Sequence, residues 1–227
     1  MSSPKSFDHV ALWVEDYEGL SSFLCEALSL HLIEAGEDFH LIGANAREGK
    51  LTLFAGDGAR QPGVLRKVAL RVGDLVAAQA ALPGTVAITI EEDGISFEAP
   101  GGLGIGLVKG DGLDFDLDHV LLRVPKPAAT AAALEDFGFR RDGESRVVVA
   151  DRSVRLERGD PGSTDRPLLN HLALLVDSAD EAREEAERRG QRIEKTVDAE
   201  NTIAVFVGGP DGITIEYVEH KPSFSLA

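Results

Sequence analysis

The chain has 227 residues, 43% of them hydrophobic and 27% charged, which supplies enough apolar side chain for one large domain or two small ones without a disulfide or structural metal. Acidic residues outnumber basic ones by 39 to 23, and the formal charge of −16 repels phosphate backbones, so nucleic acid is not an expected partner. The single cysteine, Cys25, fits a reducing compartment, no apolar run reaches the ~20 residues that span a bilayer, and the start has no apolar stretch of the signal-peptide kind; a cytoplasmic protein with no membrane partner is expected.

Read in chain order, one unit recurs four times. Its first strand is His9-Val-Ala-Leu-Trp-Val14, then Lys67-Val-Ala-Leu-Arg-Val72, then His119-Val-Leu-Leu-Arg-Val124, then His171-Leu-Ala-Leu-Leu-Val176. A helix signal follows each. Leu20, Phe23, Leu24 and Ala27 form an apolar stripe in the first copy, and Leu75 to Leu82 is a short helix ended by Pro83 in the second. Ala128 to Leu134 is the third. In the fourth, Ser178 with Glu181 three residues on reads as a capping box, and Gly190 as the stop. Short β-rich runs then close each copy, the last being Leu51–Phe54, Gly104–Val108, Val154–Glu157 and Thr214–Val218. The expected fold class is therefore α+β, four βαβββ units arranged as two paired domains. Consecutive pairing predicts residues 1–111 as one domain and 112–227 as the other, joined through Gly110-Asp-Gly-Leu-Asp-Phe-Asp116.

Three ligand-type side chains stand out in the second half. Alternate residues of a strand share a face, so His119 and Arg123 oppose the aliphatic Val120, Leu122 and Val124, and His171 opposes Leu172 and Leu174. On the final strand Glu216 opposes Ile215 and Tyr217. Two imidazoles and a carboxylate gathered on one metal leave adjacent positions open, which suits Fe(II), then Mn(II) or another divalent metal. A lone histidine at a strand start is more often a surface or satisfied residue. The weight here comes from equivalent slots in a repeat together with a Glu that completes one site.

His9 has the same slot but lacks partners in its own predicted domain, where the matching positions are Lys67 and Gly106. The first domain is thus expected to be a scaffold without metal. His31 and His40 read as solvent-facing.

Two local patterns, Leu169-Asn-His171-Leu-Ala-Leu-Leu-Val and Val205-Phe-Val-Gly-Gly-Pro-Asp-Gly-Ile-Thr-Ile-Glu216-Tyr, give the chain a resemblance to the vicinal oxygen chelate superfamily. That superfamily includes glyoxalase I, bleomycin-resistance proteins, fosfomycin-resistance enzymes and type I extradiol dioxygenases. Four units in one chain, with the metal in the second pair, is similar to the two-domain extradiol enzymes. The resemblance implies His119, His171 and Glu216 as metal ligands, a substrate with vicinal oxygens, and ring cleavage of a catechol by O2. It also implies acid–base groups that this chain lacks: no His lies between His119 and His171, and Phe206 stands where a Tyr is expected ten residues before the Glu.

Substitutes are Arg155 and Glu157, which alternate with Val154 and Leu156 and are read as facing the cup. Glu157 would serve as a fourth ligand or base, and Arg123 or Arg155 would bind an anionic substrate group. Their alternative reading is a solvated strand face. Phe206 and His220 are assigned to the substrate side of the cup, with a plain terminal residue as the alternative for His220. Two other functions stand beside the dioxygenase: the same metal cup used without O2 for lyase, isomerase or transferase chemistry, and a non-catalytic acidic protein that sequesters a cationic drug. Exposed sheet edges allow a homodimer.

Overall fold

In a computed structural model, residues 4–45, 47–162 and 165–224 are described. The first unit comprises β1 (Ser6–Val14), α1 (Tyr17–Leu28), β2 (His31–Ala35), β3 (Phe39–Gly43) and β4 (Lys50–Ala55). The second comprises β5 (Leu65–Val72), α2 (Leu75–Ala81), β6 (Ile88–Ile90), β7 (Gly94–Ala99) and β8 (Leu103–Lys109). The third runs through β9 (Leu117–Val124), α3 (Pro127–Glu135), β10 (Arg140–Arg141), β11 (Arg146–Val149) and β12 (Arg152–Arg158). The fourth runs through β13 (Leu169–Leu175), α4 (Ala179–Arg188), β14 (Ile193–Asp198), β15 (Thr202–Gly208) and β16 (Thr214–His220). Each is a βαβββ unit.

Local chemistry explains the helix limits. Asp16 and Asp74 accept from the first-turn amides of α1 and α2, and Ser178 Oγ accepts from Glu181 N at 3.2 Å, satisfying groups with no partner inside the helix. At the end of α4, Arg188 and the following Arg189 both reach Glu185, Arg189 at 2.6 Å. His31 is exposed, whereas His40 on β3 is half-buried with its ring centroid 5.1 Å from that of Tyr17.

The units do not pair consecutively. Two eight-stranded sheets form, with orders β14-β15-β16-β13-β1-β4-β3-β2 and β10-β11-β12-β9-β5-β8-β7-β6. The first sheet joins units one and four through antiparallel β1 and β13; the second joins units two and three through antiparallel β5 and β9. A boundary at 111/112 therefore cuts both sheets, each half contributing one unit to each. Two linkers cross between the sheets and hold each other: Gln61 N donates to Arg166 O at 2.8 Å and Leu168 N to Gln61 O at 2.7 Å.

One face of every first strand enters a continuous core. Val10, Leu12, Val68, Leu70, Val120, Leu122, Leu172 and Leu174 are all essentially inaccessible and cluster with the helix stripes, including Leu20, Leu24, Leu134 and Ala182. Tyr217 ties units three and four across this core by donating its hydroxyl to Phe137 O at 3.1 Å. The opposite faces carry two cups, one per sheet.

Candidate metal centre

Because β1 lies beside β13, the histidine that meets His171 is His9, not His119. His9 Nε2 is 3.1 Å from His171 Nε2 and 3.2 Å from Glu216 Oε2, and His171 Nε2 is 2.7 Å from the same oxygen. All three are largely or fully buried. His119 sits on β9 in the other sheet, opposite Ala69 of β5. The expected triad is corrected in that one member: the structure brings His171 and Glu216 together and replaces His119 with His9.

The tautomers are set from behind. Asp8 Oδ1 lies 2.7 Å from His9 Nδ1, and a carboxylate only accepts, so His9 donates from Nδ1. His171 Nδ1 donates to Asn170 Oδ1 at 3.1 Å. In this tautomer both Nε2 atoms turn lone pairs toward Glu216. Glu216 Oε2 is itself buried and has no aligned hydrogen-bond donor among the described residues. Two lone pairs and a carboxylate oxygen facing one another out of water repel unless a positive charge lies among them. The donor set fits a divalent cation, and the outer partners orient both rings as metal-bound histidines require.

In the metal-free protein a proton takes that role. Burial would lower the His9 pKa, but the Glu216 and Asp8 carboxylates overcome it and push it up to about 9. Burial likewise opposes the charge on Glu216, yet His9 and His171 hold its pKa at about 2. His171 is shifted down, chiefly by burial. Lys50, itself buried, together with His220 and His9, holds Asp8 well below the usual carboxylate range against the effect of burial.

The triad lines a cavity of about 530 Å³. Phe39, Phe54 and Phe206 give it aromatic walls, the Phe206 ring centroid lying 5.0 Å from that of His171. Phe206 faces Glu216 across β15 and β16, and His220 lines the same cavity. Register identifies a fourth slot: Ala173 pairs with Glu216, and the equivalent Ala11 pairs with Thr52, a neutral hydroxyl that also lines the cavity.

The second cup has the same four slots with different contents. Lys67 and His119 stand at the strand starts; Ala69 pairs with Gly106 and Leu121 with Arg155. A Cβ at Gly106 would lie 2.8 Å from Lys67 Cδ, so a side chain in this slot would have to displace the Lys67 stem. Lys67 pairs with Glu91 and Arg155 with Asp93 at 2.7 Å, both from the β6–β7 turn, and His119 Nδ1 meets Asp118 at 2.7 Å. Burial and the neighbouring Arg155 and Lys67 cations shift His119 down despite Asp118. Cationic side chains, each paired with a carboxylate, thus fill this cup. Arg123 and Glu157 belong to it as well, bonded to each other at 2.6 Å, so Arg123, Arg155 and Glu157 do not face the metal cup as the sequence suggests.

His9 lacks partners in its own half of the sequence because they come from the far end of the chain. The available signal was its slot, shared with His119 and His171; what was missing was which units share a sheet.

No protein-family model and no curated protein matches the chain. Solved structures do. The chain is similar to a putative dioxygenase from Bacillus subtilis subsp. subtilis str. 168, with 18% identity and a TM-score of 0.79 over 98% of this chain and 87% of that one. It is similar to the E144Q mutant of glyoxalase I from Zea mays, with 15% identity and a TM-score of 0.75 over 94% and 93%. A third is the cppA protein from Streptococcus pneumoniae TIGR4, at 13% identity and a TM-score of 0.66 over 96% and 99%. At these identities the likeness is one of fold. No helix among the described residues is long and apolar enough to cross a membrane.

Proposed function

We propose that this chain, which has the paired βαβββ fold of the vicinal oxygen chelate superfamily, is a metal-dependent enzyme that binds its substrate through neighbouring oxygens at His9, His171 and Glu216. The observation that carries the reading is the convergence of two Nδ1-bonded imidazoles on a buried carboxylate oxygen without an aligned donor, inside an aromatic-walled cavity. A cation held there by three protein ligands would supply Lewis acidity and open positions for ligand oxygens.

The finer reading is an extradiol-type dioxygenase using Fe(II), with Mn(II) next, on a catechol-like substrate. Two features support it. Two histidines and one carboxylate with a neutral Thr52 at the fourth slot match the donor set of non-haem iron oxygenases, and Phe39, Phe54 and Phe206 suit a flat ring. In this reading His9, His171 and Glu216 hold the cation, the phenylalanines orient the ring and exclude water, and Asp8 and Asn170 keep the imidazoles in the ligating tautomer.

Phe206 favours a second reading, the same cup working without O2 as a glyoxalase-like lyase or isomerase. It faces Glu216 but has no hydroxyl to stabilise an oxyanion during ring opening. Anaerobic purification with metal analysis, then O2 consumption over a panel of catechols, separates the two. Stoichiometric iron with O2 uptake supports the dioxygenase; a bound divalent metal with no O2 uptake supports the second reading. Glu216→Ala and His9→Ala are expected to lose the metal, while His119→Ala retains it. Retention of metal by His9→Ala would refute the site.

A further inference from the structure

Asp8 has more to do than orient His9. It is buried beside the metal centre and meets three side chains at once: His9 Nδ1 at 2.7 Å, Lys50 Nζ at 3.1 Å and His220 Nε2 at 2.8 Å. Lys50 is fully buried and also donates to Arg47 O at 3.2 Å, so its ammonium is engaged on the wall. His220 differs. It ends β16, is partly accessible, lines the same cavity as the triad, and lies flat on Phe224 with centroids 3.9 Å apart and ring planes 2° apart. Its Nε2 is buried, 2.8 Å from Asp8 Oδ2 but without aligned hydrogen-bond geometry, so the contact with Asp8 is one of charge; stacking on Phe224 fixes the ring plane, and Nδ1 is the nitrogen on the far side of the ring from Asp8.

We propose that His220 is the proton acceptor of this site, receiving through Nδ1 the proton of a substrate hydroxyl that binds beside it. The O–H bond breaks with its electron pair left on oxygen, an N–H bond forms on the ring, and Asp8 balances the imidazolium. This rests on the reading that the substrate binds through adjacent oxygens. It also answers the absence of the acid–base His and Tyr that the resemblance implies, since the chain supplies a candidate group from the end of its last strand. The other charged groups on the cavity suit the task less well. Lys195 lies with its ammonium 4.2 Å over the Phe206 ring, and Glu34 and Glu200 are exposed.

The test uses the metal-loaded full chain and 4-nitrocatechol, whose visible spectrum distinguishes its singly and doubly ionised forms, at a pH where the free probe is singly ionised. The wild type is expected to bind it doubly ionised. His220→Gln and His220→Asn are expected to keep full metal content but bind it singly ionised, about tenfold more weakly, the equivalent of one pKa unit of proton acceptance. Variants with the wild-type bound spectrum and affinity would overturn the proposal, as would loss of metal from both, which would make His220 a support for Asp8. If the metal-loaded wild type itself leaves the probe spectrum unchanged, the vicinal-oxygen reading fails and the proposal falls with it.

Discussion

Two imidazole nitrogens 3.1 Å apart, both with lone pairs turned to a buried carboxylate, need a positive charge between them. In the metal-free protein His9 provides it as a proton, its pKa raised from 6.5 to about 9 by Glu216 and Asp8 against the opposing effect of burial. A group whose pKa is raised by folding contributes stability that is full below its unfolded value and is lost as pH rises through the folded one. The chelator-treated protein is therefore expected to lose thermal stability between about pH 6.5 and pH 9, over the range of the His9 shift. A divalent metal removes this dependence by displacing the proton, and near pH 7.5 its binding releases a proton that calorimetry in two buffers of different ionisation enthalpy detects. Thermal midpoints of metal-free protein that stay flat across this window would contradict the charge assignment.

Among the elements, the four first strands are close to interchangeable on their core faces and differ on their cup faces. The aliphatic alternation that packs Val10, Val68, Val120 and Leu172 says nothing about metal; the residues one position before them do. Strand register then makes a strong statement about the second cup. His119 is already present, Lys67 occupies the His9 slot and Arg155 the Glu216 slot. Lys67→His combined with Arg155→Glu is expected to let this sheet take up a second equivalent of metal, read by metal analysis against the wild type, with His119→Ala in the same background abolishing it. A folded double variant with unchanged metal content would show that the slots are not equivalent.

For the whole molecule, the ends of the chain make one sheet and its middle makes the other. A split at 111/112 should consequently leave neither fragment with a metal centre, since His9 lies in one and His171 and Glu216 in the other. Fragments 1–111 and 112–227 produced separately are expected to bind no metal tightly, and co-expression should restore it. Stoichiometric metal on 112–227 alone would refute the pairing.

The repeat, the βαβββ order, the cap at Ser178 and the strand faces of His171 and Glu216 are all written in local periodicity, because side-chain alternation and capping act over a few residues. Partner choice is not local. Four similar aliphatic strands admit several pairings by pattern alone, and the crossing linkers, bonded to each other at Gln61, Arg166 and Leu168, run between the sheets in the pairing that forms. That choice exchanged His119 for His9 and moved Arg123, Arg155 and Glu157 to a cup filled by ion pairs. Residue chemistry along the chain determined which groups were fit to bind a metal; only the long-range pairing of β1 with β13 decided which of them meet.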